Sequence, residues 1–158
     1  MFRLISAVYL GWGLGANDAA NIFGTGVASG AVKYRTAVVL TAVFVLIGAY
    51  LEGSRGMETY GKLADMNMNT AFIASLAAAI TINVLTLFAL PVSTSQAVVG
   101  SIIALGVMGG GLSVKILIKI LLSWLLTPIG AALISYTLYR VLGWILEDRI
   151  KNVRVWSF

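Results

Sequence analysis

Residues 70–114 read TAFIASLAAAITINVLTLFALPVSTSQAVVGSIIALGVMGGGLSV, 45 consecutive positions without one Asp, Glu, Lys or Arg. A soluble domain carries about 25% charged residues, and an uncharged run of this length is foreign to it. One helical membrane crossing takes roughly 20 apolar residues. The run therefore holds two, and Pro91 and Gly109-Gly110-Gly111 mark the turns. The rest of the chain agrees. Of 158 residues, 59% are hydrophobic and only 11% charged, and the mean hydropathy is +0.96. Too few charges are present to coat a soluble surface, so the surplus apolar side chains face lipid. The sequence is that of an all-α integral membrane protein, a single transmembrane domain over 1–158, multi-pass in a cell membrane.

Composition excludes several chemistries. There is no Cys and no His, which removes disulfides, thiol catalysis, thiolate metal sites and the commonest general base. Ser93 and Thr94 have no neighbouring base to activate them, and no enzyme is expected. The net charge of +5 is scattered over short loops. It reads as headgroup contact and topology signal rather than a nucleic-acid footprint.

Outward from the uncharged run, the charges act as punctuation. Residues 36–51 form an uncharged apolar stretch, and Glu52 to Asp65 reads as a charged, Gly-containing loop. Ile116 to Leu146 is a long apolar stretch with Thr127-Pro128 at its middle. Its 31 residues would span about 46 Å as one straight helix. The hydrocarbon core is about 30 Å thick, so a kink at Pro128, a tilt or a split is expected. Leu4 to Ala16 is too short to cross alone and continues into the polar, Gly-rich 17–30. A broken helix or a shielded re-entrant hairpin is expected there, because unpaired backbone is not tolerated against lipid. No cleavable signal peptide is read at the start. About five segments result: 2–31 (broken), 36–52, 70–90, 96–110 and 114–146. Either turn is alternatively the tip of a re-entrant hairpin. On this map Arg3, Arg55, Lys62, Lys115 and Lys119 stand on one side, and Lys33, Arg35, Arg140, Arg149, Lys151 and Arg154 on the other. Five against six sets no orientation by the positive-inside rule.

Two motifs carry chemistry. The first is Gly15-Ala16-Asn17-Asp18-Ala19-Ala20-Asn21-Ile22-Phe23-Gly24-Thr25. Asp18 is the one acidic residue outside loops and tail, and an intramembrane carboxylate is a functional-site hypothesis by default. On a helix Asn17 and Asn21 are i,i+4 neighbours, and Asp18 and Asn21 are i,i+3. Asn17, Asp18 and Asn21 form an oxygen-rich candidate site for a hard cation such as Na⁺. The bland reading is a protonated Asp serving as interhelical glue with two Asn. The second motif is Pro91-Val92-Ser93-Thr94-Ser95-Gln96-Ala97-Val98-Val99-Gly100. It describes a helix start, where free N–H groups and the positive dipole end suit an anion. Capping explains Pro91 and one Ser, but not three hydroxyls with Gln96. Ser93, Thr94, Ser95 and Gln96 are therefore the candidate oxyanion donors. Together the motifs look like a transport site between discontinuous helices.

Lesser signals read structurally. Gly11/Gly15, Gly26/Gly30 and Gly106/Gly110 are small-residue pairs suited to close helix contact. Asn83 and Thr86 are interhelical hydrogen-bonders first and pathway lining second. Trp124, Trp144 and Trp156 suit membrane interfaces.

Residues 15–25 and 91–100 resemble the paired signatures of inorganic phosphate transporters of the PiT type, relatives of the type III sodium–phosphate cotransporters. The likeness continues through Ser29-Gly30-Ala31 and through Leu122-Ser123-Trp124 to Thr127-Pro128, in the order of the family's N-terminal repeat. It implies an all-α transporter that moves inorganic phosphate with Na⁺ or H⁺. It further implies that Asn17, Asp18 and Asn21 serve ions and substrate with Thr25 close by, and that Ser93, Thr94 and Ser95 contact the oxyanion. Three departures stand out. Gln96 replaces a His found in many relatives, and Val45 stands where many carry Glu. Each signature also occurs once, whereas the family typically has two inverted repeats. One repeat supplies half a site. The chain is expected to act with a second repeat-bearing chain, as an antiparallel homodimer, or as part of something larger. The competing classes are a passive ion pore and a non-transporting accessory fragment, and sulfate is the competing oxyanion.

Overall fold

The computed structural model describes residues 4–109 and 111–150, with side chains as far as Ile145, in five helices. These are α1 (Leu4–Ala28), α2 (Tyr34–Leu63), α3 (Met68–Leu87), α4 (Thr94–Gly109) and α5 (Val114–Ile150). Gly110, Trp156, Arg3, Lys151 and Arg154, which entered the reading above, lie outside the described residues, as does the Arg149 side chain. The chain is all-α and membrane-type. By length and composition α2, α3 and α5 are each able to cross a membrane, and α4 is a shorter apolar helix. Two compact units are distinguished, residues 1–116 and 117–158.

Three local expectations change. First, α1 is one unbroken helix through the polar motif. Continuing the helix satisfies every backbone group internally, and the polar side chains find partners on other segments (below). Second, Glu52 to Leu63 is helical, extending α2 to 30 residues. That is about 45 Å at 1.5 Å per residue, so the last turns outreach a ~30 Å core. Gly53, Gly56 and Gly61 each disfavour helix by about 1 kcal/mol relative to Ala. Ion pairs on the exposed surface, Glu52–Arg55 (i,i+3) and Glu58–Lys62 (i,i+4), support it in part. Third, of the kink, tilt or split expected at Pro128, the split does not occur, since α5 runs through it as one helix. Proline removes the N–H that would bond the carbonyl four residues earlier. Just before it, the Thr127 hydroxyl donates to the Ser123 carbonyl at 2.7 Å.

Within the first unit α1 and α3 run parallel, side by side. Ser6 Oγ meets Ser75 Oγ at 2.6 Å. Two and three turns further on, the same offset of 69 residues pairs Gly13 with Ile82 and Asn17 with Thr86. Ser6, Gly13 and Asn17 are all buried, and their spacing of seven and four puts them on one helical face. Gly13 permits the close approach: a Cβ there would stand 3.0 Å from Asn83 Nδ2 and 3.1 Å from Ile82 Cγ2. A Cβ added at Gly11 or Gly15 would meet nothing within 4 Å.

At its end α3 makes a Schellman turn. Leu90 N–H donates to Leu85 O and Ala89 N–H to Thr86 O, with Ala89 left-handed at φ 56°. Pro91 follows and prevents continuation. By the 69-residue offset, Leu87 stands level with Asp18, near the middle of α1. Helix α4 then returns to the start of α3, where Gly106 lies against Ala64 and the Ser113 N–H donates to Leu63 O. The α3–α4 pair is thus a helical hairpin whose tip faces mid-α1. An Asn67–Thr70 capping box starts it.

Candidate functional site

The hairpin tip meets α1 at Asn17, which is 5% exposed. Its Nδ2 donates to Thr86 Oγ1 at 2.9 Å and to the Leu90 carbonyl at 3.1 Å. Its Oδ1 accepts from the Val92 N–H at 3.1 Å and from Asn21 Nδ2 at 3.3 Å. A side-chain amide offers two donors and two acceptor lone pairs, and all four are in use. Leu90 and Val92 flank Pro91, so one side chain on α1 satisfies backbone on both sides of the break. Leaving such buried groups unmade costs about 1–3 kcal/mol each.

One helical step from Asn17, an open cleft of about 700 Å³ lies between α1, α3 and the start of α4. Asp18 and Asn21 line it from α1, Thr81 from α3, and Ser93 and Gln96 from the second motif. Ile22, Leu85, Pro91, Val92 and Ala97 complete the wall. The two motifs, separated by some 70 residues in the chain, thus face one space. Ser93 caps α4: its Oγ accepts from the Gln96 N–H at 3.4 Å. None of the described Lys or Arg residues lines the cleft. Among the described residues the ion pairs are those on α2, and Asp18 has no cationic partner.

The remaining candidates stand elsewhere. Asn17 does not line the cleft. Thr94 is buried, and its Oγ1 has no hydrogen-bond partner among the described residues. Ser95 and Thr25 are exposed outside the cleft wall. Asn83 donates to Ala79 O on its own helix at 2.8 Å, while Thr86 does bond across helices. Thr81 was missed by sequence reasoning. Its one signal is a hydroxyl in an otherwise apolar run, and that hydroxyl also donates to Ala77 O. Only the packing of α3 on α1 shows that it faces Asp18's side.

An acceptor-rich wall on α1 opposes a donor-bearing helix start on α4. The first suits a cation or a proton, the second an oxyanion.

Comparison with known proteins gives the family. The profile of the phosphate transporter family matches residues 14–158. A protein of Pyrococcus furiosus named as a phosphate permease is 34% identical over 172 aligned positions, covering 99% of this chain and 42% of the relative. One of Methanocaldococcus jannaschii, also named as a phosphate permease, is 34% identical, covering 89% of this chain and 46% of the relative. The chloroplastic inorganic phosphate transporter 2-1 of Arabidopsis thaliana is 37% identical, covering 87% of this chain and 26% of the relative. The chain thus spans less than half the length of these relatives. No solved structure matches.

Proposed function

This chain belongs to the phosphate transporter family, and from that premise we propose that it forms half of a secondary transporter carrying inorganic phosphate across a cell membrane, coupled to Na⁺ or H⁺. The observation that carries this reading is the shared cleft, with Asp18 and Asn21 on one wall and Ser93 and Gln96 on the other. The oxyanion sits at the α4 start, held by hydroxyl and amide donors. A carboxylate in the same cleft opposes it. Two like unit charges about 4 Å apart repel by about 4 kcal/mol at an effective dielectric of about 20. With no Lys or Arg on the wall, a co-bound cation or proton at Asp18 offsets that repulsion, which makes coupling a requirement of binding. No cluster of three acidic residues stands among the described residues. One carboxylate with neutral oxygens suits a Na⁺-like cation or a proton. Cargo moves with no covalent step.

The cleft is open on one side, and a second repeat closes it. That repeat lies in the same longer protein or in a second, antiparallel copy. Crosslinking in active membranes tests the copy: a strictly monomeric 158-residue species that transports overturns it.

The transport test uses proteoliposomes and labelled phosphate. An inward Na⁺ or H⁺ gradient is expected to concentrate phosphate, and Asp18→Asn to abolish the gradient-driven part. Phosphate entry that never exceeds equilibrium marks a passive pore, and an unchanged Asp18→Asn variant refutes the role of the carboxylate. Phosphate also has a titratable proton for an acceptor to hold, which sulfate lacks at neutral pH. Equal competition by sulfate would count against phosphate as the cargo.

A further inference from the structure

The hydrogen bonds at the hairpin tip fix more than the tip. Leu90 O is only an acceptor and the Val92 N–H only a donor. Their bonds to Asn17, at 3.1 Å each, therefore dictate which end of its amide is oxygen. Asn17 Oδ1 faces Val92 and Nδ2 faces Leu90. That choice propagates. Asn21 approaches Asn17 Oδ1 at 3.3 Å, and only its NH₂ end makes a bond there, since a second carbonyl oxygen would be repelled. The other end of the Asn21 amide, its Oδ1, is then turned away from Asn17. Asn21 lines the cleft beside Asp18, and its Oδ1, unspent on Asn17, is the part of the amide left to accept there.

We infer that Asn17 is a positioning residue for the cation: it orients the Asn21 amide so that Asn21 Oδ1 joins Asp18 as an acceptor, while itself contacting no ion. Two observations carry this. Asn17 has no free valence, since all four hydrogen-bonding positions are taken by Thr86, Leu90, Val92 and Asn21. It is also buried behind the cleft wall rather than on it. The chemistry is that of an outer partner which orients a ligand, and loss of such partners weakens metal sites by about 10–100-fold. A consequence concerns the hairpin. The backbone of residues 90–92 sets the amide, so the oxygen offered on α1 depends on the tip being seated. Displacing the tip frees Asn17, lets Asn21 turn over, and replaces an acceptor by a donor at the cation's place. The inference rests on the cation-coupled reading above.

The test is a double-mutant cycle, read without transport. The purified full chain, with its second repeat where that is separate, is heated at increasing Na⁺, or at decreasing pH if the proton is the ligand. The concentration giving half-maximal protection measures cation binding. Asn17→Ala and Asn21→Ala are each expected to raise it about tenfold. The double variant is expected to equal Asn21→Ala alone, because Asn17 acts only through Asn21. Losses that multiply to about a hundredfold make Asn17 a ligand in its own right and overturn the inference, as does an Asn17→Ala protein that binds the cation normally. Asn17→Ser, which keeps a polar group against the tip backbone, replaces Asn17→Ala in the same cycle if the alanine protein does not insert. A wild-type protein protected by neither Na⁺ nor protons sinks the coupled-transport reading itself, and the inference falls with it.

Discussion

The α3–α4 hairpin is fastened at both ends, by opposite means. At its tip the joint is polar and slightly strained. Asn17 takes up two backbone groups and a hydroxyl, and Ala89 holds a left-handed φ of 56°, where a Cβ costs about 1–2 kcal/mol. At its base the joint is close-packed and its side chains apolar, with the Ser113 N–H bonded to Leu63 O. Leu63 and Ala64 are buried, and Gly106 brings α4 so close that a Cβ would stand 3.0 Å from Ala64 Cβ and 3.2 Å from Leu112. Hydrogen bonds are directional and exchangeable, whereas close packing tolerates little displacement. The base is therefore the fixed end of the hairpin, and the tip, which carries the anion-facing motif, is the end whose seating is set by a few replaceable bonds.

The largest expected effect lies at the base. In Gly106→Val three new methyl or methine carbons enter a space already closed by Ala64 and Leu112. Ala64 Cβ is fixed to its backbone and is unable to step aside. Overpacking of this kind costs about 1–3 kcal/mol, read as a loss of unfolding free energy in mixed micelles. An unchanged stability would mean that the base is as adaptable as the tip. At the tip the expected sign reverses. Ala89→Gly relieves the left-handed strain but gives back about 0.4–1 kcal/mol of unfolded-chain entropy. The net gain is about 0.5–1 kcal/mol, in the same measurement. A loss of stability would show that the Ala89 methyl does something other than tolerate the turn.

Both ends were partly legible before the structure. Pro91 and the three glycines at 109–111 marked the two turns, and the uncharged run between charged segments marked the helices. The site motifs were legible too, since an acidic residue in an apolar segment and a hydroxyl run at a helix start each stand out chemically. What stayed hidden was register. Glycine spacing pointed to Gly11 and Gly15, yet Gly13 makes the contact. Two residues are 200° apart around a helix, and the face turned to α3 is selected by the pairs Ser6–Ser75 and Asn17–Thr86. No local pattern encodes that 69-residue offset. The same blindness explains Thr81, which only the folded chain brings to the cleft wall, and Asn17. As an i,i+4 neighbour of Asn21 it read as a third ligand, and only the fold shows its amide spent on the hairpin. The extension of α2 past Glu52 was hidden for another reason. Charge and glycine together suggest a loop, although ion pairs at helical spacing are already written in Glu52/Arg55 and Glu58/Lys62.

The smallest expected effect is at the base again, and it separates closeness from rigidity. At Gly111 an added Cβ would come within 2.8 Å of Asp65 Oδ2, nearer than anything at Gly106. Distance alone ranks Gly111→Ala as the worse substitution. Yet Asp65 is exposed, and the atom in the way is the far end of a side chain that turns about χ1 into solvent. Once it has turned, the remaining contact is Asp65 Cβ at 3.3 Å, a mild crowding that a few tenths of an ångström relieve. Gly111→Ala also lowers the entropy of the unfolded chain, which favours the folded state by about 0.4–1 kcal/mol. The two terms nearly cancel, so the expected change is within about 0.5 kcal/mol, the range of ordinary surface substitutions. A destabilisation matching that of Gly106→Val would mean that the Asp65 carboxylate is held against Gly111, and that the base too is fastened through a polar side chain.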